Sequence, residues 1–197
     1  MYVLQRREGV LLMENRIEKS IKAASETKEI SGAAERAEEK TVRDKFEKLT
    51  RSFIERGRTI TTMESCTSGQ VASLITDTEG ASAALKGAYV TYSNEAKIAA
   101  GVPEEIIEKY GVYSAQTAAA MADACRASMK ADVGVGITGS FGNADPNNSD
   151  SIPGEVYFAI ASSEGIECLH CTVPTQSCRY AYKLYMADVI VDKLLER

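Results

Sequence analysis

The sequence predicts an α/β protein, a three-layer α/β/α domain on a mixed sheet, and three observations predict it. Helical periods alternate with short β-branched or apolar runs from Thr41 onward. One of those runs, ADVGVGITGS (Ala131 to Ser140), is apolar at nearly every position, the pattern of a strand covered on both faces. Two later runs, Glu155 to Ala161 and Glu167 to Val173, flank the short turn Ser162 to Gly165 and read as an antiparallel hairpin.

Residues 1–40 form a charge-rich segment, strong in helix propensity and poor in large apolar side chains. It is expected to be a helical or partly disordered extension. Leu4, Leu11, Leu12, Ile17 and Ile21 give it a thin apolar stripe, suited to a neighbouring subunit or left in solvent. The domain proper, residues 41–197, opens with Thr41 three positions before Asp44, a capping pair, followed by Val42, Phe46, Leu49 and Phe53 at helical spacing. That helix runs to about Glu55 and closes at Gly57. Thr59 to Met63 reads as a strand, Gly69 to Thr76 as a helix ended by Gly80, and Leu85 to Tyr92 as a second strand. Ser93 and Asn94 cap a short helix over Glu95 to Ala100, Pro103 to Lys109 makes a helical turn, and Ala115 to Met129 is a long Ala-rich helix. After the buried strand, Phe141 to Gly154 has no apolar period and is dense in turn formers, a loop of the length that usually carries function. Ser177 to Leu195 is the closing helix.

Composition narrows the function classes. With 197 residues and 44% apolar side chains the chain can fill one sizeable core. It has no apolar run of membrane-spanning length, and its first thirty positions lack the order of a secretory signal. Five scattered cysteines, Cys66, Cys125, Cys168, Cys171 and Cys178, fit reduced thiols, so a soluble protein of a cytoplasmic compartment is expected. The net charge of −5 divides unevenly: residues 1–58 hold 14 Lys+Arg against 11 Asp+Glu, residues 59–197 hold 9 against 17. No dense basic stripe exists, which argues against nucleic acid and membrane partners. In so acidic a body, an anionic ligand must be held by local donors.

Candidate chemistry gathers at the strand ends. In TMESCTSGQVASLITD (Thr62 to Asp77) a strand meets a helix through Ser65, Cys66, Thr67, Ser68 and Gly69, a cluster that either caps the helix or forms a site. A serine nucleophile needs a base, and the single histidine, His170, lies inside a strand. Cys168 and Cys171 on that strand would point to opposite faces, against a metal site with His170 and Cys178. Lys97, five residues after Tyr92, can serve instead if burial keeps its amine neutral. Cys66 stands as an alternative nucleophile, since a thiol at a helix start has a lowered pKa.

ESCTSG (Glu64 to Gly69), VTYSNEAK (Val90 to Lys97), GVYSAQTAAAMADACR and ADVGVGITG, in this order, resemble the CinA C-terminal domain family over about residues 42–197. The resemblance implies an α/β/α sandwich on a mixed, mostly parallel five-stranded sheet, a homo-oligomer, and hydrolysis of the carboxamide of nicotinamide mononucleotide with no metal or other cofactor. It implies Ser65 as nucleophile, Lys97 as general base and Tyr92 as a relay or orienting hydroxyl. Thr67, Ser68 and Gly69, with Asn94, Thr138, Gly139 and Arg179, would line the substrate pocket, Arg179 pairing with phosphate. The sequence departs from the family pattern at Ser68, where a Gly is usual, and in the interior of SFGNADPNNSDSIPG (Ser140 to Gly154), of which Pro153 and Gly154 survive; a second arginine common just before Arg179 is absent, with Thr175 near that place. These departures favour a second reading, a weakened pocket on a binding or scaffold protein that meets its partners through residues 1–40.

Overall fold

The computed structural model describes residues 2–30, 38–146, 148–149 and 151–197, with side chains from residue 11 onward. Among the described residues seven α-helices and six strands alternate. They are α1 (Tyr2–Ala24), β1 (Lys28–Ile30), α2 (Glu39–Glu55), β2 (Ile60–Glu64), α3 (Gln70–Thr76), β3 (Leu85–Val90), α4 (Asn94–Ala99), α5 (Glu104–Tyr110), α6 (Ala115–Met129), β4 (Val133–Gly139), β5 (Glu155–Ala161), β6 (Ile166–Thr172) and α7 (Arg179–Leu195). The sheet order is β1-β6-β5-β4-β2-β3. The pairs β1/β6, β2/β3 and β2/β4 are parallel, whereas β4/β5 and β5/β6 are antiparallel. The class is the expected one, with six strands where five were foreseen.

The additional strand is β1, and it revises the picture of the extension. Its three residues, Lys-Glu-Ile, pair with Leu169 to Cys171 at the sheet edge and leave Lys28 and Glu29 exposed, so no alternation marked them. The preceding helix lies on its own chain. Ile17 and Ile21 pack against the cluster that contains Val102, Ile106 and Met121, and Asp123 of α6 accepts from Arg16 Nε at 3.0 Å and Lys19 Nζ at 3.3 Å. Leu11 and Leu12 stay exposed, so the stripe divides into a docked half and a solvent half. Leu4 lies outside the residues whose side chains are described.

Two layers of helix cover the sheet because the strand residues alternate. Ile60, Val135, Ile137, Phe158 and Ile160 join α2, α3 and α7 in one core, while Met63 faces the cluster built on α5 and α6. Helix α2 begins at Glu39, earlier than the Thr41–Asp44 pair suggested. Glu38 occupies the cap position without a side-chain bond, and Arg43 and Lys40 instead hold the i+4 pairs with Glu39 and Asp44 along the exposed face. Its end is as expected: Gly57 takes φ 61° while Arg58 N–H reaches back to Phe53 O at 2.9 Å.

The closest packing is α6 on β4. A Cβ on Gly134 would stand 2.3 Å from Ala122 O, and one on Gly136 2.3 Å from Ala118 O. The alanines of α6 and the glycines of β4 are thus complementary halves of one contact, and it lets a fully buried central strand lie directly beneath a helix.

This topology collects the site. β2, β3 and β4 run parallel, so their C-terminal ends, at Glu64, Val90 and Gly139, open on one edge. β5 returns antiparallel from that edge, and the 141–154 loop between them therefore starts and finishes beside Ser65. Gly136→Ala should lower stability by about 2–3 kcal/mol by forcing α6 away from the sheet, read as a fall in the urea midpoint without a change in slope.

Candidate active site

Ser65 is the first residue beyond β2, and its N–H still donates to Ile137 O of β4 at 3.0 Å, which fixes the backbone at the strand end. Chain leaving β3 is held in the same way: Thr91 N–H donates to Glu64 O at 2.8 Å, and Ser93 Oγ then accepts from Ala96 N at 3.2 Å to start α4. Lys97 is the buried residue of that short helix. Its Nζ lies 2.8 Å from Thr91 O and 3.1 Å from Ser65 Oγ.

The lysine is 1% exposed and the serine 7%, so the amine contributes little charge to solvent and much to its neighbour. Burial pushes the Lys97 pKa down from 10.5 to about 8, against the opposing pull of Cys66, Asp145 and Glu95. Neither hydrogen-bond partner is a carboxylate, and that is why desolvation prevails.

The Ser65 to Gly69 turn is closed by hydrogen bonds at the start of α3, and only its first two residues line a cleft. Glu64, fully buried, accepts from Val71 N at 3.2 Å and Ala72 N at 2.9 Å, so the donors opening α3 are satisfied by the strand before it. Ser68 N–H donates to Ser65 O and Gln70 N–H to Thr67 O, closing the turn. Ser68 is held at φ 51°, a conformation that disfavours an L-residue by about 1 kcal/mol. Gly69, at φ 86°, packs beneath Val90. Thr67 is completely buried, and its hydroxyl finds no hydrogen-bond partner among the described residues.

A cleft of about 260 Å³ opens above Ser65, lined also by Cys66, Tyr92, Tyr113, Gly139, Asp145 and Arg179, with Ser140, Phe141, Asn143, Ala144 and Pro146 along its loop wall. Of the residues singled out from sequence, Ser65, Tyr92, Gly139 and Arg179 line it, and Lys97 lies directly behind the serine. Thr67, Ser68, Gly69, Asn94 and Thr138 are absent from its lining. Thr138 Oγ1 donates to Val112 O at 2.8 Å and ties β4 to the start of α6, while Asn94 Nδ2 donates to Asn148 Oδ1 at 3.0 Å and ties α4 to the loop. Tyr92 is 62% exposed, and its hydroxyl accepts from Arg179 Nη2 at 3.0 Å across the cleft mouth. The Arg179 guanidinium stands 5.4 Å over the Phe141 ring, itself stacked on Tyr182 at 5.1 Å.

Burial disfavours the thiolate that the alternative nucleophile, Cys66, would need. Burial pushes the Cys66 thiol up to about 12, because its sulfur belongs to the core beneath α3 and the Glu64 carboxylate adds to the shift. Cys168 and Cys171 diverge as strand geometry requires, one toward the α6 alanines and the other toward the α7 core. His170 stacks on Tyr157 at 4.5 Å and bridges Glu29 and Glu155, and it is not among the residues that line the cleft. Among the described residues no group of His, Cys, Asp and Glu is placed to hold a metal, and no helix is long and apolar enough to cross a membrane.

Sequence reasoning missed Glu64, Tyr113 and Asp145. Tyr113 sat in plain view within GVYSAQT, just before α6, and Asp145 within the loop marked as functional.

A nicotinamide-nucleotide amidohydrolase of Escherichia coli K12 is 42% identical over 111 residues, 56% of this chain and 67% of that protein. A CinA-like protein of Flavobacterium psychrophilum is 40% identical over 121 residues, 60% of this chain and 28% of that one. The chain spans about a third of the length of the CinA-like and competence-damage relatives it matches. Among solved structures, the competence/damage inducible protein of Agrobacterium tumefaciens superposes with a TM-score of 0.72 at 24% identity, over 83% of this chain and 98% of that one. The corresponding protein of Klebsiella pneumoniae gives 0.73 at 22%, over 79% and 96%. Both likenesses speak to the fold. The CinA C-terminal domain profile matches residues 42–191, most of the chain and every element of the cleft, and the protein therefore belongs to the CinA C-terminal domain family.

Proposed function

We propose that the protein is an amidase that hydrolyses the carboxamide of nicotinamide mononucleotide to nicotinate mononucleotide and ammonia. The observation that carries this reading is the buried Lys97 amine 3.1 Å from Ser65 Oγ at the floor of a cleft. Kinship with the Escherichia coli nicotinamide-nucleotide amidohydrolase supports the substrate class.

In the neutral state the Ser65 to Lys97 contact runs from hydroxyl to amine, with Ser65 O–H donating to the Nζ lone pair. Ser65 Oγ attacks the amide carbon as its proton passes to Lys97, giving a tetrahedral oxyanion. The C–N bond then breaks as the Lys97 ammonium returns that proton to the departing nitrogen, releasing ammonia and leaving a nicotinoyl ester on Ser65. Water attacks the ester carbon with Lys97 again taking one proton, which passes to Ser65 Oγ as the ester C–O bond breaks, and the carboxylic acid so formed gives its remaining proton to solvent. The Ser–Lys pair supplies both nucleophile and proton carrier, so no step requires a metal. Arg179, steadied by Tyr92 and Phe141, offers the cation for the phosphate.

The direct test is ammonia release from nicotinamide mononucleotide. Ser65→Ala should cut kcat/KM by at least about 10³-fold with thermal stability intact. Equal rates in the two proteins would remove Ser65 from the mechanism, and ligand binding without turnover in the wild type would favour the scaffold reading.

The base must be unprotonated, so activity is lost as pH falls. The logarithm of kcat/KM should rise with a slope near one up to about pH 8 and then level, with only about a tenth of the enzyme in the active state at pH 7. A flat profile between pH 6 and 8 would exclude Lys97 as the base.

The same shift has a consequence for stability. The native pKa lies below the unfolded value, so between about pH 8 and 10.5 the unfolded chain holds a proton that the native protein has released, and stability rises with pH across that window. Relative to Lys97→Met, the wild type should therefore gain about 3 kcal/mol between pH 7 and pH 10.5, measured by urea unfolding of both proteins at each pH.

A further inference from the structure

The walls of the cleft come from segments far apart in sequence: Tyr92 from the β3–α4 connection, Tyr113 from the chain just before α6, and Ser140 and Asp145 from the long loop after β4. They meet through a residue outside the lining, Asn148, which is half-buried and uses both ends of its amide. Its Nδ2 donates to Asp145 Oδ2 at 2.6 Å, and its Oδ1 accepts from Asn94 Nδ2 at 3.0 Å. Chemistry fixes that orientation, because a carboxylate only accepts, so the NH₂ end must face Asp145 and the carbonyl end is left for Asn94. Tyr113 Oη donates to the same Asp145 oxygen at 2.7 Å. Asn94 stands two residues after Tyr92 and opens α4, the helix that carries Lys97. One side chain thus links the β3–α4 connection, the loop and the segment before α6. The loop has turns of its own that do not need this side chain. Asn148 N–H donates to Asp145 O at 3.3 Å, Ser151 N–H donates to Asn148 O at 3.2 Å, and Ser151 Oγ accepts from Asp145 N–H at 2.8 Å.

Ser65 and the chain leading to Lys97 are held differently, by main-chain bonds from Ser65 N–H to Ile137 O and from Thr91 N–H to Glu64 O. Truncating the Asn148 side chain therefore leaves the reacting pair in place and separates the walls around it. Walls that move independently must be ordered when a ligand enters, and that cost weakens binding without slowing the chemistry of the bound complex. We propose that Asn148 is a positioning residue: through Asn94 and Asp145 it holds three segments of the cleft as one body before the substrate arrives. Asn94, which the family resemblance placed in the substrate pocket, acts through Asn148. The kinetic consequence rests on the amidase reading, whereas the linkage between the segments is a property of the free protein.

The test compares the wild type with Asn148→Ala, Asn94→Ala and the double variant, by amide hydrogen exchange of the free proteins and by ammonia release from nicotinamide mononucleotide. In Asn148→Ala exchange should quicken about 10-fold in the 141–154 loop and also at residues 92–95 and 112–114, with the remainder of the domain unchanged. KM should rise about 10-fold while kcat stays within about twofold. A residue that merely supported folding would do the opposite, lowering the amount of active protein and hence kcat at constant KM. Asn94→Ala should quicken exchange in the loop as well as at 92–95, and the double variant should be no worse than Asn148→Ala, because both substitutions break one link. Faster exchange confined to the loop, effects of the two substitutions that add, or a fall in kcat at constant KM would overturn the proposal. The amidase reading fails separately. A wild type that releases no ammonia, with exchange in the three segments still coupled through Asn148, loses the reaction and keeps the linkage; normal turnover with KM unchanged in Asn148→Ala does the reverse.

Discussion

An amine withdrawn from water and set against a hydroxyl is the constraint on which the rest of this structure depends. Among the described residues Lys97 is hydrogen-bonded to no carboxylate, and its two partners are a backbone carbonyl and a serine hydroxyl. Placing a lysine so disfavours its charged form, and the fold must offset that penalty elsewhere. What holds it is backbone. The last residue of β2, Glu64, is pinned to Thr91, the first residue beyond β3, and the Ser93 cap then turns the chain inward within a few residues. A longer connection would let the amine swing into solvent and regain its ordinary pKa.

Glu64 shows why the turn after β2 can be both strained and durable. Its buried carboxylate takes two amides of α3 and the Thr62 hydroxyl, so the strand end and the helix start form one hydrogen-bonded unit. With that unit fixed, Ser68 can be kept in a left-handed conformation that an isolated peptide would leave. The opening residues of the site are therefore positioned from behind, by the core, and their cleft side stays free to vary.

Much of the fold was legible because it is written in local periods. Helix α6 runs over the span its apolar spacing marked, and the uninterrupted burial of β4 follows from a strand that has helix on both faces. The strand β1 was not legible: three residues at an edge, two of them exposed and charged, carry no alternation to read. The site divides in the same way. Ser65 and Lys97 could be paired only through a family pattern, since 32 residues separate them and no period links them. Tyr113 and Asp145 meet across another 32, in a contact that exists only because β5 returns to the edge where β4 ended. Neither residue type nor spacing announces such a contact. The Cys66 thiol shows the limit from the other side, for its place at a helix start suggested reactivity, and burial reversed the sign.

The electrostatics of the cleft follow from the acidity of the body. Residues 59–197 carry an excess of eight acidic side chains, 17 against 9, so the general field repels an anion before it arrives. Attraction must then come from a cation whose position does not relax when the ligand leaves. In the proposed reaction that cation is Arg179, which Tyr92 contacts from the β3–α4 connection and Phe141 from the end of β4. Phe141 is itself stacked on Tyr182, one turn along the helix that bears the arginine, which closes a loop of contacts around the guanidinium. An exposed arginine loses side-chain entropy when it is held against a ligand, and each contact that Arg179 already makes with Tyr92 and Phe141 lowers that loss.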